Sequence, residues 1–125
     1  MDAGIILGSN EYSSLMFAAI EAGMRTSMGD NVIMFVTMDG ALAFLRNPII
    51  KKTTDTSKKM EEDGQDFVKY LREAKESGLL KIYICYFAAE LHKLHKKDMS
   101  ELVDDIWGIT KFSIETESSQ IISIW

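Results

Sequence analysis

One cysteine, one proline and two histidines are all that this chain of 125 residues holds of three residue types with strong structural meaning. A lone cysteine, Cys85, forms no internal disulfide, and a cysteine-poor chain suits a reducing compartment. His92 and His95 with one cysteine fall short of the four paired ligands of a zinc site, and the lysines around them repel a cation. No metal and no cofactor are therefore expected. The single proline, Pro48, and the absence of repeats or low-complexity stretches leave no domain boundary, so 1–125 reads as one domain. No apolar run reaches the roughly 18 residues of a membrane span. The opening Met1-Asp2-Ala3 has no basic region before the apolar run, so no secretory leader is expected and the expected location is cytoplasmic.

Positive charge is also scarce. Lys and Arg number 14 against 19 Asp and Glu, a formal net charge of −5. A phosphate-binding surface needs clustered cations. The candidates are Lys51-Lys52, Lys58-Lys59 and Lys93 with Lys96-Lys97. Acidic residues follow the second and third groups, and all three read as solvated helix ends and loops. No nucleic-acid partner is expected.

What remains is the composition of an ordinary globular protein, 46% hydrophobic and 26% charged. Four short apolar runs read as buried strands: residues 3–8, 32–38, 80–86 and 120–125. Residues 11–28 place Leu15, Ala18, Ala19 and Ala22 on one helical face, and Gly29-Asp30-Asn31 ends the helix. A short helix is expected over 41–46, an exposed loop over 47–58 and a helix over 59–77 ending at Gly78. Another helix is expected over 87–96. Residues 99–106 read as a turn or short helix, and 108–118 as a helix. Apolar strands alternating with helices imply an α/β fold: a parallel sheet of five strands or fewer, helices on both faces, flavodoxin-like.

Ligands of open parallel sheets bind beyond the C-terminal ends of the strands. The first strand delivers Gly8, Ser9 and Asn10 to that edge, the second Asp39 and Gly40, the third Cys85 and Tyr86. Gly8-Ser9-Asn10 at a helix start is able to hold an anion, but it lacks the repeated glycines of a dinucleotide fingerprint and is more often plain capping. Asp39-Gly40 is more often a turn. Cys85 is either a reactive thiol before a helix or a buried structural cysteine; pattern alone favours the second. The candidate residues are thus Cys85 for chemistry and Ser9, Asn10, Asp39, Gly40 and Tyr86 for binding.

Taken in order, IILGSN, MGDNVIMFVT, MDGALAFL, KIYICYFAAEL, DMSELVDDIWGI and the final strand resemble the DsrE/DsrF-like family of small sulfur-relay proteins. The residues after Cys85, YFAAELHKLH, are bulkier and more charged than that family's pattern. The resemblance implies a DsrE-like parallel sandwich, a homo-oligomer, and Cys85 carrying sulfur as a persulfide between donor and acceptor proteins, a sulfurtransferase or sulfur-carrier role. It leaves two other readings open: a non-catalytic assembly subunit of a DsrE-like complex, and a small-ligand-binding flavodoxin-like module.

Overall fold

The computed structural model describes residues 1–125 throughout. Five strands form one sheet: β1 (Ala3–Leu7), β2 (Val32–Val36), β3 (Leu80–Cys85), β4 (Asp105–Trp107) and β5 (Gln120–Ile124). Their order is β4-β3-β2-β1-β5, and every neighbouring pair is parallel. The chain steps outward from β1 to β4, then returns across the sheet to lay β5 beside β1.

That reversal distributes the helices. Parallel crossovers are right-handed, so connections that step the same way lie on one face and the returning one on the other. The outward connections are α1 (Tyr12–Ser27), the pair α2 (Asp55–Glu62) and α3 (Phe67–Glu76), and α4 (Tyr86–Leu91). The return is α5 (Ile109–Glu115) alone. Side chains alternate along each strand. The face of Ile5, Met34, Ile82 and Ile84 is wholly buried. The opposite face carries Gly4, Ile6, Phe35 and Tyr83, and α5 covers only part of it: Ile6, Ile33 and Tyr83 stay half-buried and Lys81 exposed. The expected α/β parallel sheet with helices on both faces is what forms, with the helices of three outward connections on one face and one short helix on the other.

Five expectations need correction. The helix expected over 59–77 is two helices. Asp63-Gly64 ends α2, with Gly64 in the left-handed region at φ 71°, and Asp66 starts α3 by accepting bonds from the N–H groups of Val68 and Lys69. The loop expected over 47–58 stops early, because Thr54 caps α2 through the Ser57 N–H. Asp105 and Ile106, expected to belong to a turn or short helix over 99–106, form edge strand β4 with Trp107, and the three sit opposite Tyr83, Ile84 and Cys85. The helix expected over 87–96 ends at Leu91: Lys93 takes a left-handed φ of 55°, and Leu94 N–H returns to the Ala89 carbonyl. The expected short helix at 41–46 is a run of 3-10 turns over Met38–Phe44.

Phe112 is the one buried side chain within α5, and its ring stacks on Phe35 at 4.7 Å between centroids. Phe112→Ala removes the anchor of the only helix on that face. The expected loss, read from urea unfolding, is about 3–5 kcal/mol; a loss under about 1 kcal/mol would show that α5 is held by something else.

Candidate functional site

Cys85 is the last residue of β3 and the N-cap of α4. Alternation puts its side chain on the incompletely covered face, with Tyr83 and Phe35. There the strand ends, the start of α5 and the C-terminal residue enclose a groove of about 590 Å³. Ile6 and Phe35 come from the sheet, Cys85, Tyr86 and Phe87 from the β3–α4 junction, Ile109 and Thr110 from α5, and Trp125 closes one side. The lining is mostly apolar and holds no charged side chain. Cys85 is 5% exposed, so it lies at the floor rather than on the rim. Met38, another lining residue, takes a left-handed φ of 49°. A non-glycine residue there costs roughly 1–2 kcal/mol, and such strain concentrates where a side chain is held for a purpose.

The six candidate residues separate. Cys85 and Tyr86 line the groove; Ser9, Asn10, Asp39 and Gly40 do not. Tyr86 is exposed, and Glu90 one turn along bonds its hydroxyl and raises its pKa. Ser9 accepts from the Glu11 N–H through its hydroxyl, a capping turn. Asn10 is buried, and its side-chain amide donates to the Ile49 carbonyl. Gly40 has its missing Cβ position 2.7 Å from the Leu7 carbonyl oxygen, a close backbone approach that only glycine permits. Asp39 is exposed, with Lys51 Nζ and His92 Nε2 each 3.9 Å from its carboxylate. His92 Nε2 is buried without a hydrogen-bond partner. No three His, Cys, Asp or Glu side chains converge as a metal site.

Sequence reasoning missed Trp125, Phe87, Met38, Ile109 and Thr110. One signal pointed to the first. A Cβ at Gly8 would fall 2.0 Å from the Trp125 ring, so the glycine after the first strand is the seat of that indole. Ser14 holds the same residue from the other side, its hydroxyl donating to the Trp125 carbonyl.

No protein-family model matches the chain, and no curated protein matches it. Solved structures do. The protein of unknown function MTH1491 from Methanobacterium thermoautotrophicum superposes with a TM-score of 0.62 at 13% identity, covering 98% of this chain and 97% of that one. The ychN protein from E. coli superposes with a TM-score of 0.65 at 12% identity, covering 98% and 99%. At such identities the likeness shows the fold. It agrees with a DsrE-like resemblance at that level and assigns no activity.

The corner that holds Ser9 and Asn10 is a structural joint. Glu11 accepts from Ser57 Oγ at 2.6 Å and from the Thr53 N–H at 2.9 Å, and Lys51 exchanges backbone bonds with Asn10 and Tyr12. The Ser57 and Thr53 hydroxyls lower the Glu11 pKa from 4.5 to about 2. A carboxyl held below its unfolded value contributes stability that is complete above pH 4.5 and lost as pH falls toward about 2. Glu11→Gln is therefore expected to lower the thermal midpoint at pH 7 by a few degrees. The gap from the parent should narrow as pH drops below 4.5; a gap independent of pH would remove the charge from the account.

Proposed function

We propose that this protein carries sulfur as a persulfide on Cys85 and hands it to an acceptor thiol. The observation that carries the reading is a lone cysteine at a strand tip, on the floor of an apolar groove at the edge where parallel sheets bind ligands. The sequence resemblance to DsrE/DsrF-like relay proteins supports the same chemistry, and the fold is consistent with that resemblance. In the transfer, Cys85 thiolate attacks the outer sulfur of a donor persulfide, R–S–SH. A new S–S bond forms to Cys85, the donor's S–S bond breaks, and R–S⁻ leaves with the electron pair. An acceptor thiolate repeats the step and frees Cys85. No resolving cysteine is required. The partners of this cycle are donor and acceptor proteins or thiols, and the reaction suits the reducing cytoplasm.

A second reading has its own observation. Phe17, Ile20 and Met24 on α1, with Met28 at its C-cap, form an exposed apolar stripe, which suits an assembly subunit and a homo-oligomer. In that reading Cys85 is inert packing. Incubation of the native protein with a persulfide donor, followed by mass spectrometry, separates the two. Carriage of sulfur predicts one added sulfur atom, lost on reduction and absent in Cys85→Ala. An unmodified parent, with Cys85 alkylated only after denaturation, sinks the carrier reading.

A further inference from the structure

The chain is acidic overall, yet its cations are not spread evenly. Lys96 and Lys97 sit in a 3-10 turn, Lys96–Asp98, after α4. Folding brings two arginines to them from elsewhere. Arg46 is fixed beside this turn because the strands of chain around it pair briefly: Arg46 N–H bonds the Asp98 carbonyl at 2.9 Å, and Ser100 N–H bonds the Phe44 carbonyl at 2.8 Å. Arg72 comes from α3. Together they line an open groove of about 680 Å³ over Met99, Ser100 and Val103.

The carboxylates nearby do not balance these cations. Glu101 pairs with Arg72 at 2.6 Å, and Asp105 lies 3.6 Å from Lys96. Asp98 spends one carboxylate oxygen on the His95 N–H. Arg46 and Lys97, like several lysines elsewhere on the surface, have no carboxylate within ion-pair distance. Two unpaired cations beside two exposed, exchangeable pairs form a positive trough in a negative protein.

We propose that this groove docks a short acidic segment of a partner protein. The negative net charge of the chain argues for a short partner segment. A long polyanion such as nucleic acid would extend its charge over the acidic surroundings and be repelled, whereas an Asp/Glu-rich segment confines its charge to the trough. The lining holds no aromatic side chain on which a base would stack. Arg46 and Arg72 offer planar forks for carboxylates, and Lys96 and Lys97 add point charges. The proposal stands apart from Cys85 chemistry and survives if that reading fails.

The test is fluorescence anisotropy of a labelled octapeptide of alternating Asp and Glu, titrated with the full chain at low salt. Saturable binding is expected, weakening steeply from about 50 to about 200 mM salt. Arg46→Glu with Lys97→Glu should weaken it at least about tenfold, and Arg46→Gln with Lys97→Gln by a smaller factor. Lys58→Glu with Lys59→Glu, an equal charge change on α2, should stay within about twofold of the parent. Thermal melts confirm that each variant is folded, and the glutamine pair decides if the glutamate pair is not. The proposal is overturned by absence of saturable binding, by equal weakening in the α2 control, or by a DNA duplex or pyrophosphate binding as tightly as the peptide.

Discussion

The stack of Phe112 on Phe35 holds α5 to the sheet, and one wall of the groove above Cys85 exists because of it. The helix that Phe112 anchors has seven residues, Ile109–Glu115, and offers Phe112 as its only buried side chain. It is too short to cover a five-stranded face. What it leaves open is the corner at the C-terminal ends of β1, β2 and β3. Ile109 and Thr110, at its first turn, become one wall of that corner. The chain then runs into β5, pairs with β1 from Ala3 to Leu7, and delivers Trp125 to the opposite wall. The first wall therefore depends on that aromatic contact and the second on the pairing of β5 with β1, and both follow from the reversal that sent α5 to this face.

Much of this architecture is legible as pattern, and the limits are physical. β1, β2, β3 and β5 announce themselves because buried parallel strands are short continuous apolar runs. β4 does not, because it is a three-residue edge strand that opens on Asp105 and pairs on one side only. The division between α2 and α3 was readable in Asp63-Gly64 and the capping Asp66, but the apolar face of 67–74 dominated the periodicity. For the site, sequence finds the sheet edge and not the sheet face. Strand tips converge on one edge, yet adjacent residues point to opposite faces. Cys85 shares its face with Phe35 and Ile6, while Leu7 and Val36 point the other way. Ser9, Asn10, Asp39 and Gly40 reach the right edge and then serve the joint between α1, α2 and the 3-10 turns. The groove's other residues come from positions 37, 38, 87, 108, 109, 110 and 125, segments that no local spacing connects.

The two surfaces argued to be functional differ in kind. The groove over Cys85 is mostly apolar and holds no charged side chain, which suits the uncharged flank of a partner in the proposed transfer. The trough around Arg46 and Lys97 is charged and open, which suits encounter and orientation more than tight binding. Neither is built from a motif. Each is assembled by topology from segments far apart in the chain.

One segment serves both. Residues 86–97 begin with Tyr86 and Phe87 in the Cys85 groove and end with Lys96 and Lys97 in the basic trough. Between them α4 is closed after two turns by the left-handed Lys93, whose φ of 55° is a conformation glycine would adopt more cheaply. The early closure is what turns the chain toward the segment that holds Arg46. Continuing the helix would carry Lys96 and Lys97 along its axis, away from the backbone bonds that join 98–100 to 44–46. The placement of the basic trough thus follows from where α4 stops, and α4 starts at the cysteine.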